Sequence, residues 1–300
     1  SAFIEEGIVR FAIEEERITR EKRTRKFPTA GLSLGLDRLG WDLCEVDAVA
    51  ISWNPMVNLE THSTSHSDRA RYLGEFLYSA PSNLMSLVGS QSGPVSQQII
   101  SFENGQSLPI YYVDHHTCHR ANFFLSTFEE AAVLTVDAFG EKKSTSYGLG
   151  VGGHIKELWS QEFPHSLGGF YSTLTEFLGF VAQGDEWKLM GASSYGDPEE
   201  FYDVLREVVN LQPEGGFELD LSYFNFYQFH RPLRYTEKLS NLLGVQPNVL
   251  GAPLTPQYFN LAAAAQVVFE EIYFHLLSQL QRQTKSPNIV ISGGCALNSV

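Results

Sequence analysis

Cysteine is scarce. The chain has three in 300 residues (Cys44, Cys118 and Cys295), an odd number, far apart and with no C-x-x-C pair. That excludes a disulfide framework and fits a reducing cytosol. Basic charge is short as well: 21 Lys and Arg face 35 Asp and Glu, a net charge of −14. Such a surface repels phosphate backbones, which excludes generic nucleic-acid binding but leaves room for a small basic pocket that takes a nucleotide. No apolar run reaches about 18 residues, so no segment reads as a membrane span. Ser1 to Arg10 shows no basic stretch followed by an apolar one, so no signal peptide is read, and the expected location is cytoplasmic. Hydrophobic residues make up 43% and charged residues 19%, a globular composition that excludes a disordered chain. Three hundred residues amount to roughly two domains at about 150 each.

What is there begins with strand patterns. Residues 2–14 predict a hairpin around Glu5-Glu6-Gly7, with Gly for positive φ. Glu14 to Lys26 is densely charged: a solvated helix with i,i+4 charge pairs, or a basic loop over Arg17 to Lys26 lining an anion site. A short helix starts near Thr29, and Val46 to Ser52 reads as a buried strand. Residues 54–106 are polar and irregular, with helical periodicity only over Tyr72 to Leu87, and are expected to be an insertion. The pair His62 and His66 within it sits among Ser and Thr and reads as a mobile loop. Pro109 to Val113 is a strand, Arg120 to Phe128 a helix, and Ala131 to Val136 a buried strand. Ser144 to Gly152 and Ile155 to Phe163 are antiparallel strands, followed by a helix over Ser166 to Phe180. Residues 181–255 look like a second insertion. Gln257 to Gln283 is a long amphipathic helix with Phe259, Ala263, Val267, Ile272, Leu276 and Leu280 near helical spacing. Asn288 to Ser292 is a strand, and Gly293-Gly294 opens a further helix.

The order predicts an α/β protein. From 131 it runs strand, strand, strand, helix, strand, helix; from residue 2 it runs strand, strand, helix, strand, helix, strand. These are two copies of a βββαβα unit, the first without its opening strand. Facing one another across a nucleotide cleft, they describe the actin/Hsp70-like (RNase H-like) architecture. The expected lobes are 1–130 and 131–300.

Four segments carry chemistry. His115-x-x-x-His119 places two imidazoles one helical turn apart, a spacing that chelates a divalent metal. The residue after the first His is His116 rather than Glu, so metalloprotease chemistry is rejected. Asp137, at the C-terminal tip of the next strand, is the candidate carboxylate, because strand ends converge on one crevice in α/β sheets. Two His and one carboxylate with open positions suit Fe(II), Mn or Zn. The glycine in Asp137-Ala138-Phe139-Gly140 permits backbone approach to a phosphate or its metal. Gly293-Gly294-Cys295-Ala296-Leu297-Asn298 reads as a nucleotide-contacting turn or a plain strand-to-helix turn. In Gly184 to Gly196, Lys188 is a candidate phosphate or carboxylate ligand, or a salt-bridged surface lysine.

Taken together these segments resemble the NodU-type O-carbamoyltransferase family. The matching pieces are Glu14-Glu15-Glu16-Arg17 with Thr19-Arg20-x-Lys22 and Phe27-Pro28; Asp114-His115-His116-x-x-His119; Ser166 to Tyr171 with Thr175 and Leu178 to Phe180; Gly184-Asp185-Glu186-x-Lys188-x-Met190-Gly191 with Tyr195-Gly196; and Gly293-Gly294-x-Ala296-Leu297-Asn298. The resemblance implies an N-terminal actin-like domain related to the subunit that transfers threonylcarbamoyl to tRNA. It implies a bound metal, Fe(II) first with Zn or Mn as alternatives, on His115, His119 and Asp137. It implies ATP, with Lys22, Gly169, Lys188, Gly191, Gly293, Gly294 and Asn298 in the segments around the nucleotide. Carbamoyl phosphate and ATP would give carbamoyl adenylate, whose carbamoyl group passes to a hydroxyl of a sugar or natural product. His116 is the candidate catalytic residue, supporting the metal pair or contacting substrate, with a helix-surface histidine as the plain alternative. The implied partners are a hydroxyl-bearing small molecule and a nucleotide, with a homodimer as one assembly it allows.

The departures are at the ends. The family's Gly-x-x-His-Asp turn precedes the hairpin, and Ser1-Ala2 looks like its tail. A further metal-ligand Asp and a smaller domain are expected beyond Val300. The chain therefore reads as a fragment truncated at both ends, lacking a strand of its first sheet and in need of a partner segment. Two other readings stand beside this one: tRNA threonylcarbamoyl transfer, disfavoured by the net charge of −14, and a non-catalytic nucleotide- and metal-binding protein of the same fold.

Overall fold

A computed structural model describes residues 1–22, 24, 27–54, 94–228 and 232–300. His62, His66, the Tyr72 to Leu87 periodicity and part of the basic loop, including Lys26, lie outside the described residues. The chain is a mixed α/β protein with several sheets. It divides into two compact units, Ser1–Ile51 with Gln97–Tyr111, and Ser52–Ser96 with Tyr112–Val300. No helix among the described residues is long and apolar enough to cross a membrane.

In the smaller unit, β1 (Ala2–Glu5) and β2 (Ile8–Ala12) form the predicted antiparallel hairpin. Glu6 and Gly7 both take positive φ, 51° and 80°, the geometry that matches the twist of the flanking strands. The charged helix is shorter than expected. α1 (Glu15–Thr19) stops at Arg20 in the left-handed region, and Arg17 pairs with Glu14 three residues back rather than at i,i+4 spacing. α2 (Thr29–Leu39) has no side-chain cap of its own. Glu15 supplies one from α1, accepting the Ala30 and Gly31 N–H groups at 3.1 and 2.8 Å. Gly35 lets α2 lie on Phe3, since a Cβ there would stand 2.0 Å from the ring.

β3 (Val49–Ile51), β4 (Val95–Ser101) and β5 (Ser107–Val113) make a sheet in the order β3-β5-β4. β3 is not buried as expected: Ala50 is exposed and its neighbours half-buried. β4 falls inside the stretch expected to be irregular. Its polar run Ser96-Gln97-Gln98 conceals a strand from any alternation rule.

In the larger unit, α3 (His115–Arg120) begins and ends earlier than the predicted helix and passes into a 3₁₀ turn, Ala121–Leu125. β6 (Glu130–Val136), β7 (Lys143–Val151) and β8 (His154–Glu162) run antiparallel in sequence. α4 (Leu167–Phe177) and α5 (Glu186–Ser193) follow, then α6 (Tyr202–Arg206), the hairpin β9 (Val209–Leu211) and β10 (Phe217–Leu219), and α7 (Glu237–Leu243). Residues 181–255 are no appendage. Leu189, Phe201, Leu205, Phe217, Phe224 and Leu239 from this stretch belong to the same buried cluster as Leu134, Tyr147 and Phe170.

α8 (Pro256–Thr284) closes that core. Its buried stripe is Leu261, Ala264, Ala265, Val268, Ile272, Leu276 and Leu280; Val267, expected inside, is exposed. β11 (Ile289–Ser292) then pairs parallel to β6, giving the order β11-β6-β7-β8. β6 is therefore paired on both edges and buried along Ala131 to Val136, which fits its largely apolar run, Thr135 apart. No α-helix follows Gly293-Gly294 among the described residues. Gly293 takes φ 99°, and Gly294–Leu297 is a 3₁₀ turn.

Candidate metal centre

α3 starts where β5 ends, and its first turn is held by two acids. Asp114 is the N-cap, accepting the Thr117 N–H and hydroxyl at 2.9 Å each. Glu141 accepts the His115 N–H at 3.0 Å. The helix thus presents His115 and His119 on one face, toward the tip of β6, where Asp137 stands. Asp137 Oδ2 lies 3.1 Å from His115 Nε2 and 2.8 Å from His119 Nε2. The two Nε2 atoms are themselves 3.1 Å apart. Among the described residues, His115, His119 and Asp137 are the one group of His, Cys, Asp or Glu side chains whose ligand atoms lie close enough together to hold a metal ion.

The remaining polar atoms of these side chains are engaged elsewhere. His115 Nδ1 faces the Ser52 carbonyl at 3.3 Å, and His119 Nδ1 faces Ser292 Oγ at 3.4 Å. Asp137 Oδ1 accepts the Ala138 N–H at 2.7 Å. A carbonyl only accepts, so the contact at His115 Nδ1 favours the tautomer that leaves its Nε2 free as a ligand, whereas the Ser292 hydroxyl, able to donate or accept, holds the His119 ring without choosing its tautomer. The spacing fits a cation: bonds of about 2.1 Å at right angles separate neighbouring donors by about 3.0 Å. Two imidazoles and one oxygen, half-buried but reached by solvent, match the donor set expected from the sequence. Burial pushes the Asp137 carboxyl up, but its bonds to His115, His119 and Ala138 outweigh this and hold it well below the usual carboxylate range. The Asp137 bond in turn raises the pKa of His115.

Three glycines let two segments crowd the end of β6 and Asp137. A Cβ on Gly293 would stand 2.2 Å from the Val136 carbonyl, and one on Gly294 would stand 2.8 Å from Asp137 Oδ1. A Cβ on Gly168, at the start of α4, would stand 2.6 Å from the Ala138 backbone. Ser166 caps α4 by accepting the Gly169 N–H at 2.9 Å and donates its hydroxyl to the Ala138 carbonyl.

His116 is neither on the helix surface nor open to substrate. Its ring is fully buried and shares a hydrogen bond of 2.7 Å between Nδ1 and Thr135 Oγ1. Burial lowers its pKa to about 4, and Nε2 has no hydrogen-bond partner. α3 is packed too closely between the sheet and its neighbours to leave this face exposed. Arg120, also buried, donates to Ser146 and Thr117 at 2.9 and 2.7 Å and pairs with Glu157, which Lys143 meets at 2.7 Å.

The other expected site residues are placed as follows. Lys188 pairs with Asp185 at 3.0 Å and lies over the Trp187 ring, the salt-bridged surface lysine of the plainer reading. Gly191 faces open space on α5, and Gly169 sits under Phe226. Asn298 exchanges hydrogen bonds with Gln266 at 3.0 and 3.1 Å, and Tyr171 donates to the same Gln266 at 2.7 Å. Lys22 is exposed in the smaller unit. Ser52, Glu141 and Ser292 were not anticipated.

Residues 1–300 match the carbamoyltransferase N-terminus family from end to end. The chain belongs to that family. It is similar to an uncharacterised protein of Synechocystis, at 32% identity over all of this chain and 49% of the relative. It is also similar to nodulation protein NolNO of Sinorhizobium fredii, at 27% over 99% of this chain and 40% of the relative. Nodulation protein NolO of Bradyrhizobium diazoefficiens matches at 30% over 62% of this chain and 32% of its own length. The chain thus spans half or less of these curated relatives. The NodU-type resemblance seen in the motifs is the family found.

Proposed function

We propose that this carbamoyltransferase N-terminal chain holds a divalent metal and a nucleotide, and that the protein carrying it transfers a carbamoyl group to an alcohol. Water releases phosphate from carbamoyl phosphate to leave carbamate, which attacks the α-phosphorus of ATP and displaces pyrophosphate to give carbamoyl adenylate; a hydroxyl of a sugar or natural product then takes the carbamoyl group, and AMP leaves. The observation that carries this reading is the convergence of His115 Nε2, His119 Nε2 and Asp137 Oδ2 within 3.1 Å of one another in a member of this family.

Fe(II), or Zn or Mn in its place, would be held by His115, His119 and Asp137. A cation there would supply Lewis-acid stabilisation of negative charge on a carbamoyl oxygen. The chain's own groups prepare the site. Ser52 and Ser292 orient the imidazoles, and the Ala138 N–H turns one Asp137 oxygen away so that the other is presented. Gly293 and Gly294 keep side chains out from between their turn and Asp137. His116 and Thr135 anchor α3 to β6 from inside.

The sheet β11-β6-β7-β8, with three antiparallel strands and a fourth parallel beside the first, supports reading residues 131–300 as one actin-like lobe and 1–130 as the other. The expected nucleotide residues Gly293, Gly294 and Asn298 sit on the turn after β11.

The complete polypeptide that contains this chain, given carbamoyl phosphate, ATP and Fe(II), should form carbamoyl adenylate detectable by mass spectrometry. No adenylate with Fe(II), Zn(II) or Mn(II) would overturn the proposal.

A further inference from the structure

Glu141 is buried, 8% exposed, yet it is not one of the three residues whose ligand atoms cluster. Oε1 accepts the Asn54 N–H at 2.5 Å, and Oε2 accepts the His115 N–H at 3.0 Å. One carboxylate therefore ties together two segments that are far apart in sequence, at separations of 87 and 26 residues. Both segments end on the same imidazole. The 115 backbone carries the His115 side chain, and two residues before Asn54 the Ser52 carbonyl faces His115 Nδ1 at 3.3 Å. Asn54 is itself anchored, 1% exposed and donating through Nδ2 to Ser96 Oγ at 3.1 Å. Gly140 brings Glu141 under the helix start: a Cβ there would stand 2.9 Å from His116 Cδ2 and 3.3 Å from His115 Cβ.

We propose that Glu141 is a positioning residue for the metal centre, fixing the His115 backbone and, through Asn54, the Ser52 carbonyl that sets the His115 tautomer. This rests on the metal-holding reading above. The physical reason for an acid is the pair of donors. A carboxylate offers two acceptor oxygens to two N–H groups, whereas an amide must set its NH₂ against one of them. An unpaired N–H at the first turn of α3, or a shifted Ser52 carbonyl, would rotate the ring away from the shared point. Outer hydrogen-bond partners of metal ligands typically change metal affinity 10–100-fold.

The test uses Co(II) as the probe in the full chain, with Glu141→Gln and Glu141→Ala beside the parent. The parent should bind one Co(II) with a visible ligand-field spectrum. Glu141→Gln should bind about 10–100-fold more weakly with a shifted spectrum, and Glu141→Ala more weakly still. A general loss of stability would lower the melting temperature but leave the spectrum of the bound form unchanged. A second measurement needs no metal: ¹⁵N spectra of labelled histidine at alkaline pH should show His115 as the Nδ1–H tautomer in the parent and a mixture in Glu141→Gln. Parental affinity, spectrum and tautomer in folded Glu141→Gln would overturn the inference. A parent that binds no Co(II) would instead remove the metal reading, and the tautomer measurement would still decide the role of Glu141.

Discussion

The Nε2 atoms of His115 and His119 lie 3.1 Å apart, and both face the same oxygen of Asp137. Two imidazole nitrogens at that distance around a carboxylate oxygen form either a hydrogen-bonded cluster that needs protons or a cation site that needs none. The Ser52 carbonyl at His115 Nδ1 favours the second, because a carbonyl only accepts and so holds that ring as the tautomer whose Nε2 carries a lone pair.

Removing a ligand should remove the metal. His119→Ala and Asp137→Ala are expected to lower metal affinity by more than about 100-fold, beyond the usual effect of an outer hydrogen-bond partner, while the chain stays folded. Metal content by mass spectrometry, with circular dichroism as the folding check, measures this. Full metal content in either variant would contradict it.

Acid should release the metal early. Imidazole must be neutral to ligate, and the Asp137 bond raises the pKa of His115. Proton competition therefore begins above the ordinary histidine value of about 6.5. Metal titrations across pH should show affinity falling already above that value as the solution is acidified. Flat affinity down to that pH would count against the arrangement.

His116 should make folding acid-sensitive. Its folded pKa is lowered to about 4 by burial, against about 6.5 unfolded. Between those values the unfolded chain binds the extra proton. Stability is thus complete above the unfolded value and lost as pH falls toward the folded one, by about 3 kcal/mol in all. Urea unfolding from neutral pH to about the folded value should show this slope in the parent, and His116→Gln should flatten it. Equal slopes in both would refute the assignment.

The glycine turn should not accept a side chain. A Cβ at 294 would press on Asp137 Oδ1, which the Ala138 N–H holds at 2.7 Å. Gly294→Ala is expected to weaken metal binding about tenfold or more, the scale of a displaced ligand contact. Gly191→Ala, in open space, should leave it unchanged. Calorimetric titration of the two variants distinguishes them.

The part of the site visible in the sequence was the local part. The His115–His119 spacing is one helical turn, and Asp137 follows a strand whose run of apolar residues marks it as central; both are short-range patterns. The orienting groups have no such signature. Ser52 and Ser292 reach the imidazoles across 63 and 173 residues, and Glu141 reaches the His115 N–H across 26. His116 was misplaced because spacing shows which face a residue takes but not what covers that face. In the fold, β6, β7, β8, α4, α8 and β11 were legible from their periodicity. β4 was hidden by its polar residues. The role of 181–255 was hidden because its buried residues sit in short elements with many turns between them.

The central claim is that His115, His119 and Asp137 share one cation. Crystals of the protein grown with Fe(II), measured on either side of the iron absorption edge, test it most directly. One anomalous peak in bonding contact with both Nε2 atoms and Asp137 Oδ2 is the predicted result. An iron-loaded crystal with its peak elsewhere, or with these three side chains turned apart, would contradict it.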